Sequence, residues 1–189
     1  MKTRILVIAV LLLVPCVARA QTDAQAVLAA FDKLVGGIEH ANVNEVMSVY
    51  WNNPQLNLFN YNGTVTKGWD QVRKNRESSY PQIKDVKLVV RDKSVHMLGR
   101  DGAIVTCLWT QSQNYKGTPE TATGRMTLVF KRVGTAWKAI HLHSSPDSPD
   151  PSRVPASEQQ PAATPSPSAT PTPTPSPSAT PTPSPRPAN

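Results

Sequence analysis

The chain has 189 residues, with 20 Lys and Arg against 13 Asp and Glu for a formal charge of +7, and its 19 prolines crowd towards the C-terminal end. The basic excess is mild and scattered, which argues against nucleic acid as a partner, because proteins that bind it gather Lys and Arg on one face. Of its two cysteines, Cys16 falls in the leader described next, so Cys107 is left without a partner and no intramolecular disulfide is expected.

Met1 to Ala20 reads as a secretory signal: Lys2 and Arg4 open it, Ile5 to Val14 is its apolar stretch, and Ala18-Arg19-Ala20 is a small-x-small cleavage site. A stretch of about ten apolar residues is too short to span a bilayer, which takes about 20. No transmembrane segment is therefore expected, and the mature chain should begin at Gln21, secreted or periplasmic. Cleavage removes three of the 20 basic residues and lowers the charge from +7 to +4. Pro15 precedes Cys16 where lipoprotein processing takes a small residue, which speaks against lipidation.

Residues 21–145 have the size and patterning of one domain. "TDAQAVLAAFDKLVGGIEH" spaces Val27, Phe31, Leu34, Val35 and Ile38 along one helical face, with Thr22 or Asp23 as its N-cap and Gly36-Gly37 weakening its end. A second helix is expected from about Asn42 to Tyr50, stopped by Pro54. Leu56 to Tyr61 alternate and lead into Asn62-Gly63, a hairpin turn, and "WDQVRKNRESSY" forms a third helix before Pro81. Strands follow at Val86–Arg91, running on towards Leu98, and at Ala103–Gln113, Thr121–Val133 and, past Gly134, Ala136–Ser144. Helices followed by consecutive antiparallel strands make an α+β domain with the helices packed on one face of a bent sheet. From 146 to 189 Pro, Ser, Thr and Ala take over, and "TPSPSATPTP" at 164–173 recurs at 174–183. Such a segment has nothing large and apolar to bury and holds near polyproline II, so it reads as a disordered but stiff spacer.

That order of elements, with "GTVTKGWDQV" and the closing "TGRMTLVFKRVGTAWKAIHLHSS", resembles the nuclear transport factor 2-like superfamily. Within it the chain is similar to the SnoaL-like proteins and to the association domain of calcium/calmodulin-dependent protein kinase. The resemblance implies a cone-shaped domain in which N-terminal helices pack on a strongly curved, mainly antiparallel sheet around a central pocket. Relatives of this shape include isomerases, dehydratases and cyclases as well as proteins that only bind, and many dimerise through the outer face of the sheet. Kinase association domains carry buried arginines in the cavity, but Ser144 and Leu128 stand at two matching positions. That departure favours an apolar ligand over an anion.

Strand alternation sorts the candidate side chains. Met126, Leu128 and Phe130 share a face that should meet the helices together with Ile140 and Leu142, which leaves Arg125, Thr127, Ala139, His141 and His143 on the other side. Arg125, Thr127, His141 and His143 then belong to an outer face that a second copy of the sheet could cover. A bend near the strand end would instead bring His143 into the pocket as a general base, with His141 and Tyr61 as further catalytic candidates. Two histidines fall short of a zinc site, and no metal or cofactor is expected. Tyr50, Trp51, Tyr61 and Trp109 should line the pocket and stack on a flat ligand. Asn62-Gly63-Thr64 is also a glycosylation sequon, though its turn role explains it. The acids fall mostly in turns or on solvent faces, so an isomerase-type buried carboxylate is not evident. The sequence thus reads as an exported, homodimeric protein that binds a small apolar or aromatic molecule, with a cofactor-free isomerase, cyclase or dehydratase and a pure dimerisation module as alternatives.

Overall fold

The expected helical face does form. In the computed structural model, which describes residues 22–148 and Ser152, residues 22–39 make helix α1 and bury Val27, Phe31 and Leu34 at 0–1% exposure. The leader and nearly all of the proline-rich tail lie outside the described residues. Thr22 and Asp23 are already helical, so neither caps the helix; Asp23 instead pairs with Arg132 at 2.6 Å, which ties α1 to the sheet. Gly36 and Gly37 fall in the last turn of α1, and the helix stops at residue 39. A Cβ on Gly37 would lie 2.9 Å from Val46 Cγ2, so the missing side chain lets the next helix, α2 (Val43–Val49), cross α1 at close range. Asn42 caps α2 by accepting the Glu45 N–H at 3.1 Å.

The chain then makes a short hairpin, β1 (Asn57–Phe59) and β2 (Val65–Lys67), whose loop is set by Asn62: its Oδ1 accepts from Thr64 N at 3.1 Å and Thr64 Oγ1 at 2.7 Å, beside Gly63 at φ 82°. Helix α3 (Trp69–Ser79) follows, and Trp69 Nε1 donates to the Met47 carbonyl at 3.2 Å to lock it to α2. A 3-10 turn at Tyr80–Gln82 leads into four strands: β3 (Ile83–Leu98), β4 (Gly102–Tyr115), β5 (Thr118–Val133) and β6 (Ala136–Pro146). The sheet order is β2-β1-β6-β5-β4-β3, antiparallel throughout except where β1 runs parallel to β6.

Strand β3 is an edge, longer than its apolar pattern suggests. Asp85 and Asp92 take left-handed φ values of 54° and 51° at the two places where its register with β4 shifts, so bulges bend it twice. Its exposed Lys84, Lys87 and Arg91 discourage further strand pairing.

One side of the sheet buries Ala103, Val105, Cys107 and Trp109 of β4 with Met126, Leu128 and Phe130 of β5 against α1 and α2. Burying each of the larger side chains is worth about 1.5–3 kcal/mol. Strand β6 departs from simple alternation. Val129 pairs with His141 and Phe130 with Ala139, so Ile140 is an extra residue in a bulge. The expected grouping of Ala139 with the histidines is therefore wrong. Ala139 (0% exposed) and Trp137 (5%) face inward before the bulge, Leu142 and Ser144 face inward after it, and Ile140 is only half-buried.

Candidate functional site

Helices and hairpin leave one end of the concave face uncovered. Between α3, the β1–β2 hairpin and the ends of β4, β5 and β6 lies an open cavity of about 590 Å³, within the range of small-molecule sites. Three of the four aromatic residues expected there line it: Tyr50, Tyr61 and Trp109. Trp51 does not. Once Tyr50 turns inward, its neighbour in the extended segment points away, and Trp51 lies under Lys131 Nζ at 5.6 Å while its backbone N–H donates to the Ala139 carbonyl.

Trp109 is fixed on every side. A Cβ on Gly124, directly across in β5, would sit 2.9 Å from Trp109 Cζ2, so the bare glycine makes the seat for the indole ring. Its Nε1 donates to Ser144 Oγ at 3.2 Å, and that hydroxyl donates in turn to the Arg125 carbonyl at 3.2 Å. Tyr61, 41% exposed on the hairpin loop, meets Trp109 edge to face at 5.4 Å and forms part of the mouth.

The walls are more polar than expected. Asn60, Thr66, Gln111 and Gln113 line the cavity beside Leu58, Val72 and Met126. Helix α3 presents Val72, Asn75, Arg76 and Ser79 to it, an i, i+3, i+4, i+7 stripe. Arg76 was missed from the sequence, because with Val72 as its one buried residue α3 looks like a solvent helix. Its guanidinium lies 5.4 Å from the Tyr80 ring centroid, and among the described residues no carboxylate pairs with it. The hydroxyls of Tyr50 and Tyr80, both buried, have no hydrogen-bond partner of good geometry among the described residues. Burial pushes both phenols above their ordinary pKa, with nearby Arg76 pulling the other way. They remain protonated donors.

Glu120 is the one carboxylate among the lining residues; it is exposed at the rim and accepts a hydrogen bond from Gln113 Nε2. A carboxylate general base of the isomerase kind, which needs burial to raise its pKa, has no counterpart in these walls. Cys107 lies on the inner face of β4, and burial pushes its thiol up to about 11 against the opposing pull of Lys93, so it is a poor nucleophile at neutral pH.

The histidines lie on the other face of the sheet. His141 and His143 pair across β1 with Asn57 and Phe59, and the Phe59 ring stands edge-on to both, at 5.2 Å and 5.8 Å. Neither lines the cavity. A bend that would bring His143 inward is absent, because the bulge at Ile140 falls before both histidines and leaves them outward. The register makes two rows across this outer face: His96, Ile104, Val129, His141 and Asn57, then Ser94, Thr106, Thr127, His143 and Phe59. Arg125 sits one row further out and donates to the Asp147 carbonyl at 3.3 Å. Among the described residues no three His, Cys, Asp or Glu side chains form a group that could hold a metal ion, and no helix is long and apolar enough to cross a membrane.

The family profile of the calcium/calmodulin dependent protein kinase II association domain matches residues 23–148. No curated protein matches at a significant level. Among solved structures, a nuclear transport factor 2-like superfamily protein from Salmonella enterica serovar Typhimurium superposes with a TM-score of 0.63 at 18% identity, over 69% of this chain and 94% of that one. A ketosteroid isomerase-like protein from Erwinia carotovora gives 0.58 at 17%, over 67% and 98%. The hub homology domain of the same kinase from Chlamydomonas reinhardtii gives 0.55 at 21%, again over 67% and 98%. At these identities the likeness is one of fold.

Proposed function

The chain belongs to the calcium/calmodulin dependent protein kinase II association domain family, and we propose that it works as an exported homodimer that binds a small molecule in the cavity of each protomer, without catalysing a reaction on it. The observation that carries this reading is the open 590 Å³ cavity with a fixed indole wall, Trp109, facing α3 across it. Rings of this kind stack on flat ligands, while the amide side chains around them fix orientation. The walls carry no buried carboxylate base, which supports binding over proton transfer.

The other face supports the dimer. The two central outer rows hold no Lys, Arg, Asp or Glu between Ser94 or His96 and β1, and Phe59 stands 39% exposed within them. An uncharged, β-branched sheet face of this sort suits packing against its own copy. Native mass spectrometry of the chain from Gln21 to Asn189 tests both halves. The wild type should appear as a dimer, and His141→Ala/His143→Ala should shift it towards monomer. A wild type that is monomeric at micromolar concentration, or a variant as dimeric as the wild type, removes the outer face from the interface. Material purified from its native compartment should carry an extra bound mass that both forms keep.

A further inference from the structure

The cavity wall contributed by α3 contains a cation that no group of the described chain neutralises. Arg76 is half-buried, lines the cavity, and has a tyrosine ring behind it in place of a carboxylate. The neighbouring Tyr50 hydroxyl, on a residue 1% exposed that also lines the cavity, is in reach of the Arg76 guanidinium as an acceptor but has no acceptor of good geometry for its own proton among the described residues. Either feature alone is costly: a partly desolvated charge needs a counter-charge, and a buried hydroxyl needs a partner. Together they describe the two halves of one missing group, an acceptor with negative charge and more than one lone pair. Arg offers a planar fork of donors and Tyr one further O–H, the pattern that holds a carboxylate.

We infer that the cavity's ligand is a small carboxylic acid with a flat apolar body, its carboxylate seated on Arg76 and the Tyr50 hydroxyl and its body against Trp109. The proposal rests on the small-molecule reading above and narrows it to one chemical class. It reverses the preference for a neutral ligand drawn from Ser144 and Leu128. Those positions do lack a charge, and Ser144 is occupied as the acceptor for Trp109, but a different element supplies the cation. Tyr80 stays behind Arg76, stacked on it, as a positioning residue. Glu120 at the rim accepts from Gln113 and makes no ion pair with Arg76.

Ligand-observed NMR titration of the mature chain separates the possibilities, with phenylacetate and 3-phenylpropanoate as acids and their amides as neutral probes of the same shape. Wild type should bind the acids about tenfold to a hundredfold more tightly than the amides, the range expected for a charge-assisted pair. Arg76→Gln should bring acids and amides to equal affinity, and Arg76→Lys should keep part of the preference. A thermal melt of each variant confirms that it is folded. Equal binding of acids and amides by wild type overturns the inference and leaves the small-molecule reading standing, as does an acid preference that survives Arg76→Gln. Binding of neither probe class by wild type overturns both. Should Arg76→Gln fail to fold, Tyr50→Phe decides the seat, since it should weaken the acids several-fold and leave the amides unchanged.

Discussion

Strands β4, β5 and β6 carry two surfaces built from alternate residues of the same segments, and the two differ in what they leave unfinished. On the concave side the groups of Trp109, Ser144 and Gly124 satisfy one another, and the incomplete part is polar: a cation and a phenol hydroxyl. On the convex side the incomplete part is apolar: an exposed Phe59 braced by two imidazoles in a field of Thr, Val and Ile. Unfinished polar groups in a concave site call for a small ligand that brings the complementary charge. An unfinished apolar sheet face calls for area, which a second sheet supplies and a small molecule cannot.

The two surfaces are kept apart by one residue. Without the bulge at Ile140, strict alternation through β6 would put Trp137, Ala139, His141 and His143 on a single face. Deleting Ile140 therefore carries the largest expected effect. Either both histidines turn into the core beside Leu128 or Trp137 and Ala139 leave it, and each alternative takes away a large part of the stability of a small domain, about 5–15 kcal/mol. Circular dichroism should show a chain that does not fold cooperatively. A folded deletion variant with a sharp melt would mean that β6 tolerates either register, and the separation of the faces would then need another cause.

Alternation, the turn at Asn62-Gly63 and the apolar stripe of α1 were legible in the sequence because each rests on residues that are near neighbours in the chain. The bulge was not, because Ala139 is small and carries almost no hydrophobic signal to show which way it points. Only its register against Phe130 fixes that. Arg76 was hidden for the opposite reason. A helix whose cavity-facing stripe is Val72, Asn75, Arg76 and Ser79 looks solvent-exposed until the sheet that faces it is in place. The chemistry of the cavity was thus least legible where polar side chains face inward.

A pair of single substitutions gives the next largest contrast. Trp109→Ala removes a buried ring together with its hydrogen bond to Ser144 and leaves a void above Gly124, at a cost of about 3–5 kcal/mol. Phe59→Ala removes a ring of similar size, but one already 39% exposed, and should cost the monomer under about 1 kcal/mol. Urea melts at low protein concentration measure the monomer in both. In dimerisation assays the order reverses, with Phe59→Ala the more damaging. Equal losses in the urea melts would show Phe59 to be part of the monomer core, and the case for its role between copies would fall with that result.

The smallest effect has an unusual sign. Tyr50→Phe deletes a hydroxyl from a fully buried residue, a change that destabilises most proteins by about 0.5–1.5 kcal/mol because it removes a hydrogen bond. Here the hydroxyl's contact within the described chain is with Arg76, a charge interaction and a hydrogen bond short of good geometry, so its removal gives up that contact and relieves a desolvation penalty. The variant should be unchanged or more stable by up to about 1 kcal/mol, while its affinity for carboxylic acids falls. A residue that weakens the empty protein and strengthens the occupied one is there for the ligand. If Tyr50→Phe instead lowers stability by more than about 1 kcal/mol, the hydroxyl is already held by Arg76 in the empty protein. The arginine would then have a partner of its own, and the cavity would have less need of an acid.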